Sequence, residues 1–240
     1  MNAAGAVMII GGGSGIGLGI ARRCLADGAS VVIAGRSQQR LEAASAELGH
    51  PGRVAAIPAD IGNQAQLTEL FDTAGPVAHL VITAADLPYG PVATLTEDQM
   101  MRAVRSKVTG PLMAAQQAAQ RITGPGSITF TSGVAAYRPA AGGALAAIVN
   151  GALESMVRAL ALELAPVRVN AVSPGWVDTP VWDRLATPQA KQARLTDMAA
   201  RLPAKRIGRP SDIANAVAFL ISDDFITGTV LHAEGAQLLI

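Results

Sequence analysis

Five glycines and a serine crowd into residues 11–17 of this chain, as GGGSGIG, directly behind the short apolar run AVMII. A helix-like stretch, GIGLGIARRC, follows at once. Glycine permits a tight turn and lets backbone N–H groups come close to an anion, while the N-terminus of a helix adds partial positive charge. A strand, a glycine turn and a helix in that order are the construction that holds the pyrophosphate of a dinucleotide. Gly11, Gly13, Ser14, Gly15, Ile16 and Gly17 are therefore the expected phosphate-side contacts. The second apolar run closes on Gly35, where an NAD site places an acid for the ribose hydroxyls. Arg36 and Ser37 stand next. A guanidinium offers a charge-assisted fork to a 2′-phosphate, which an acid would repel. NADP is the expected cofactor, with NAD as the alternative.

The elements that must hold these residues are legible as alternating patterns. Apolar, β-branched runs fall at 6–10, 30–34, 53–57, 78–83, 127–131, 167–172 and 228–233. Helix-like segments lie between them, among them Gly15–Asp27, Gln38–Leu48, Thr96–Arg121, Gly143–Leu164 and Ser211–Ile221. Alternation of this kind predicts a parallel sheet with helices on both faces, which is why the strands read as continuous apolar runs. Thr96, with Glu97 and Asp98 behind it, suits a helix N-terminus, and Ser211 with Asp212 suits another. Gly28 and Gly49 suit helix C-termini. The irregular stretch 180–210 carries a short helix candidate, Pro188–Ala200, and is expected to be a lid or substrate loop.

The totals narrow the field. A chain of 240 residues that is 50% hydrophobic suits one domain, residues 1–240. A net charge of +1 predicts neither nucleic acid nor an anionic membrane as partner. No uninterrupted apolar run reaches the ~18–20 residues that span a bilayer. AVMII lacks the flanks of a signal peptide. The single cysteine, Cys24, is expected to be a buried structural thiol in a reducing compartment. A cytoplasmic location is the expectation. His50, His79 and His232 have no spacing that suggests a metal site or a triad.

These residues resemble the short-chain dehydrogenase/reductase family over almost the whole chain. GGGSGIG is similar to its TGxxxGxG motif, with Ile10 in place of the threonine. The PAD ending at Asp60 resembles its adenine-contacting aspartate, with Ile61 beside the ring. ITAA, Ile82 to Ala85, stands where the family has NNAG and keeps small residues, Ala84 among them, near the adenosine ribose. SPGWVDTP, 173–180, resembles the family's PG-motif. That likeness implies that Pro174, Gly175, Val177 and Thr179 hold the nicotinamide carboxamide. The stretch 206–236 is similar to its C-terminal signature. The resemblance implies a Rossmann-like, doubly wound, seven-stranded α/β/α fold. It also implies a homotetramer or dimer through the Gly143–Leu164 helix.

The departures fall where the chemistry should be. The family's serine after the fifth strand matches Ser132. Its tyrosine, 13 residues on, and its lysine, four further, fall on Leu145 and Val149. Neither side chain has a proton to give. In SKVTG the family's active-site asparagine position holds Lys107. The resemblance places that ammonium near Ser132, over a floor made apolar by Leu145 and Val149, where desolvation lowers a lysine pKa. Lys107 and Ser132 could then bind and protonate a carbonyl oxygen. The alternative is that Lys107 is held by backbone carbonyls or the cofactor ribose. Tyr137, five residues after Ser132, is a second proton donor or a pocket wall, and Arg138 is an anion contact or a surface arginine. Leu87, Pro88, Tyr89, Val134, Ala135, Trp176 and Trp182 are expected to line an apolar pocket for a small molecule. Three functions follow: an NADP-dependent oxidoreductase on a carbonyl, alcohol or activated double bond; a catalytically silent NADP(H) sensor; and a non-redox dehydratase or isomerase.

Overall fold

The computed structural model describes residues 6–122, 124–184 and 186–240. Its strands are β1 (Ala6–Ile10), β2 (Val31–Gly35), β3 (Val54–Pro58), β4 (Val77–Ile82), β5 (Ser127–Thr131), β6 (Arg168–Pro174) and β7 (Val230–Ala233). All seven form one parallel sheet in the order β3-β2-β1-β4-β5-β6-β7. The order reverses at β1, which lies between β2 and β4.

The helices are α1 (Gly15–Ala26), α2 (Gln38–Leu48), α3 (Gln64–Ala74), α4 (Glu97–Val104), α5 (Gly110–Ala119), α6 (Ala144–Glu163), α7 (Pro188–Arg201) and α8 (Pro210–Ser222). They cover both faces, and period-two alternation along each strand divides the core between them. Met8 and Ile10 of β1 pack with Leu70 and Phe71 of α3, Ala114 of α5 and Leu153 of α6. Val7 and Ile9 of the same strand pack with Ile20 and Cys24 of α1, Leu41 of α2 and Val217 of α8. β1 thus needs apolar residues on both of its faces. α6 is long and apolar enough to cross a bilayer by length and composition, but Leu153, Val157 and Leu160 are buried against the sheet.

Three sequence expectations change. The segment Thr96–Arg121 is not one regular helix: a π-helical turn, Arg105–Thr109, separates α4 from α5. Gly110 follows it, and a Cβ there would lie 2.5 Å from the Arg105 carbonyl oxygen. Ser211 is not the cap of α8. Arg209 takes that position and Pro210 opens the helix, since proline has no N–H to lose in the first turn. Asp212 still acts there, accepting the Arg209 N–H at 2.7 Å. The last strand starts at Val230 rather than Gly228, because Gly228 takes φ +75°, outside the extended region. The capping box of α4, between Thr96 and Gln99, matches the expected N-terminus.

Candidate active site

The glycine turn leaves β1 at the point where the strand order reverses, which is where open α/β sheets take ligands. Gly11 has φ +98° and Gly15 φ +53°. A Cβ on Gly17 would lie 2.2 Å from the Gly11 carbonyl oxygen, so turn and helix fit only without a side chain. Thr83 ties the turn to the end of β4, its Oγ1 donating to the Gly11 carbonyl at 3.2 Å, and the Ala84 N–H donates to Ile10 at 3.1 Å. Gly13 is half-buried, Ile16 packs on the α1 side of the core, and Ser14 stands exposed as the N-cap of α1. The Ser14 side chain makes no capping bond, and the first turn of α1 holds no acid. This helix end is therefore open to an anion, and the donor set fits a pyrophosphate.

The segment after β6 folds over the same turn. A Cβ on Gly15 would touch Thr179 at 3.4 Å and Pro180 at 3.6 Å. Pro174 ends β6, and a Cβ on Gly175 would collide with Gln237 and Glu234 at 2.8 Å. Val177 is buried and bridges to Gly208. On the adenosine side, Ser37 caps α2 by accepting the Arg40 N–H at 3.3 Å, which leaves its own proton to give. Asp60 accepts the Gly62 N–H at 2.9 Å, with Ile61 buried beside it. Arg36 reaches Asp86, an acid the sequence reading did not single out, at 3.2 Å.

The proposed acid–base residues converge at the carboxyl end of β5, around one more carboxylate. Glu154 of α6 is only 5% exposed. Ser132 donates its hydroxyl to Glu154 Oε1 at 2.6 Å, and the Tyr137 phenol donates to Oε2. Lys107 lies in the π-helical turn, 4% exposed, and its Nζ donates to the Thr131 carbonyl, one residue before Ser132. Burial pulls the Lys107 ammonium down to about 8, with the Glu154 charge acting the other way. Partial burial and the bond to Glu154 push the Tyr137 phenol up to about 12. Leu145 and Val149 pack with Ala103, Leu87, Val104 and Val108 in a small apolar cluster beside the π-helical turn.

The sequence reading paired Ser132 with Lys107. The structure gives the serine's proton to Glu154, because a buried carboxylate is the stronger acceptor for a neighbouring hydroxyl, and holds Lys107 on a backbone carbonyl, the alternative the sequence had offered for it. Glu154 itself was missed. Its signal lay in α6, whose buried stripe runs through Leu145, Ala146, Val149, Asn150, Leu153 and Val157 and includes Glu154. An acid on the apolar stripe of a helix is a group with a partner to find.

Of the expected pocket residues, Leu87 packs with Leu145 and Val149, and the two tryptophans pair with one another. Trp176 and Trp182 stack at 4.5 Å, and the Trp182 indole donates to the Val177 carbonyl at 2.8 Å. Tyr137 meets His232 edge-on at 4.9 Å. Arg138 is exposed, with Nη1 3.5 Å from the Leu238 carbonyl. His79 bonds Ser127 at 2.9 Å and burial pulls it down to about 4, while His50 contacts Arg53. Cys24 is buried, and desolvation pushes its thiol up to about 12. Among the described residues no group of three His, Cys, Asp or Glu side chains could hold a metal ion.

Known proteins share this framework. A family model described as Enoyl-(Acyl carrier protein) reductase matches residues 11–235. The short-chain dehydrogenase/reductase ATR9 of Stachybotrys chlorohalonatus is 33% identical over 97% of this chain and 96% of its own. The solved MalC reductase/Diels-Alderase of Malbranchea aurantiaca superposes with a TM-score of 0.92 at 33% identity, covering 99% of this chain and 98% of its own. A small-chain dehydrogenase solved in complex with NADPH superposes at 0.83 with 30% identity, covering 98% and 99%. With a matching family model across the cofactor cradle and the C-terminal segment, and relatives at this identity along its length, the chain belongs to the short-chain dehydrogenase/reductase family.

Proposed function

We propose that this protein is an NADP-dependent oxidoreductase acting on a small carbonyl, alcohol or activated double bond with an altered acid–base set. The observation that carries the reading is the group of buried Lys107, Ser132 and Glu154, with the half-exposed Tyr137 bound to Glu154, at the carboxyl end of β5. Gly11, Gly13, Ser14, Gly15, Ile16 and Gly17 would hold the pyrophosphate. Arg36 and Ser37 would take the 2′-phosphate, Asp60, Ile61 and Ala84 the adenosine, and Pro174, Gly175, Val177 and Thr179 the nicotinamide end. The NADPH complex of a 30% identical relative supports NADP(H) as the cofactor. When bound, the nicotinamide would supply or accept the hydride.

The chain's own part is the proton. Leu145 and Val149, at the family's tyrosine and lysine positions, have none to move. Lys107, held at about 8, is charged at neutral pH and can release a proton close to it. In reduction it gives that proton to the oxygen of a substrate held beside Ser132, and solvent restores it. Glu154 keeps the ammonium charged and fixes both hydroxyls. The apolar walls around Trp176 and Trp182 would exclude water, with 180–210 as the lid. Exposed Ile148 and Leu162 on α6 support a homo-oligomer.

One observation favours a second, non-redox reading. The Malbranchea relative carries a Diels-Alderase activity in its name beside reductase, and the apolar floor of Leu145 and Val149 would suit a pocket reused for rearrangement. The test is loss of NADPH absorbance with a panel of ketones, aldehydes, enones and imines, beside product analysis without cofactor. Substrate-dependent NADPH oxidation supports the first reading. Conversion without cofactor supports the second. NADPH binding without conversion of any kind leaves the sensor.

A further inference from the structure

The turn after β2 and the loop after β4 reach across β1 to one another. Arg36 Nη1 lies 3.2 Å from Asp86 Oδ2, and the other oxygen of that carboxylate faces Arg102 of α4 at 3.7 Å. Arg102 also pairs with Asp98, Nε to Oδ2 at 3.1 Å. Asp86 is well anchored: its N–H donates at 2.9 Å to the hydroxyl of Ser106, which is buried in the π-helical turn. Arg36 is looser, its side chain 57% exposed against 25% for Asp86. Strands in a sheet lie ~4.8 Å apart, so an ion pair joining the ends of β2 and β4 spans about two strand spacings. It bridges the crevice over the glycine turn at the switch point, on the adenosine side.

We propose that Asp86 sets how strongly this site prefers a 2′-phosphorylated adenosine to one with a free 2′-hydroxyl. The inference rests on the reading that the crevice takes a nicotinamide dinucleotide. Two opposite charges face one position there. The guanidinium of Arg36 suits a phosphate, and the carboxylate of Asp86 suits ribose hydroxyls. Gly35, at the end of β2, has no acid to offer the ribose, and Asp86 supplies one from the opposite wall. For a phosphorylated ligand Asp86 works in the other direction. It occupies Arg36 in the empty site, and once displaced it remains nearby as a like charge, beside Arg102. A partly exposed, single-bonded ion pair is weak, so phosphate displaces it, but not without cost. Arg36 alone would make the site strongly selective, and Asp86 moderates it.

The test is a set of dissociation constants for NADPH, NADH, 2′,5′-ADP and 5′-AMP, measured by calorimetry on the whole chain. The proteins are wild type, Asp86→Asn, Asp86→Ala, Arg36→Ala and the Arg36→Ala/Asp86→Asn double variant. Asp86→Asn is expected to tighten NADPH and 2′,5′-ADP by about three- to tenfold and to weaken NADH by a few-fold. In the Arg36→Ala background the gain for NADPH shrinks, because there is no longer an arginine to release. Asp86→Ala, which removes the partly exposed carboxylate altogether, repeats the shift and guards against a local effect of asparagine. If wild type binds both dinucleotides and neither Asp86 variant changes their ratio, the proposal is overturned while the functional reading stands. If wild type binds no dinucleotide, both fall.

Discussion

Ser132 Oγ lies 2.6 Å from Glu154 Oε1, and that one bond decides which way the serine faces. A hydroxyl has a single proton, and with that proton on Glu154 the serine turns lone pairs to its other neighbours. Tyr137 is bound to the second oxygen of the same carboxylate, so one buried acid orients both hydroxyls.

Replacing Glu154 by glutamine keeps the size but leaves one acceptor oxygen for two donors. Where the donor left over is the buried Ser132, its lost acceptor costs ~1–3 kcal/mol by chemical denaturation; the half-exposed Tyr137 can turn to water instead. The loss of charge also lets the Lys107 pKa fall further, since Glu154 is what raises it. The alkaline limb of the reductive pH profile is expected to move to lower pH in Glu154→Gln. A variant with lower stability and an unmoved limb would make Glu154 a packing residue only.

Lys107→Met removes the proposed proton donor while filling the same space. Reductive turnover is expected to fall by ~10²–10⁴, with NADPH affinity little changed. Stability should respond in a defined direction. The folded-state pKa of about 8 lies below the ordinary 10.5. Below about 8 the lysine is protonated in both states and the full penalty of a buried ammonium applies. Between about 8 and 10.5 the unfolded chain binds more protons, so stability rises with pH across that window. The gain is best read up to about 10, below the range where Tyr137 at about 12 takes part, as wild type minus Lys107→Met. A difference that is flat in pH would contradict the burial of a charged Lys107.

Much of this arrangement was legible in the sequence. Strand runs and the glycine turn read directly, because each follows from a local pattern: a continuous apolar run, or absent side chains; Ser132 was legible through the family resemblance. Glu154 and Asp86 did not. Their roles come from partners 22 and 50 residues away, Ser132 and Arg36, which only the packed fold brings near. The π-helical turn around Lys107 was hidden for a related reason, since its residues fit the helical pattern on both sides.

Trp182→Ala tests the segment after β6. It removes a stacked aromatic pair, worth ~0.5–1.5 kcal/mol, and the hydrogen bond to Val177, worth ~1 kcal/mol. The loss should fall on substrate handling: a higher KM for the carbonyl, a smaller change in NADPH affinity, and faster proteolytic nicking within 180–201. Unchanged KM and nicking would remove the proposed lid.

Gly17→Ala separates cradle from chemistry. A Cβ there would lie 2.2 Å from the Gly11 carbonyl oxygen and 2.7 Å from Thr83 Oγ1. The threonine can rotate, but the carbonyl belongs to the backbone of the turn and moves only if α1 shifts away from it. Overpacking of this kind costs ~1–3 kcal/mol. The shift would also carry the open N-terminus of α1 away from where the turn aims it. Gly17→Ala is therefore expected to lower Tm and to abolish the thermal stabilisation by NADPH. It should do so without altering the Lys107–Glu154 cluster, so the pH dependence of stability between about 8 and 10 persists. Retained NADPH stabilisation in a folded Gly17→Ala protein would move the dinucleotide away from this turn.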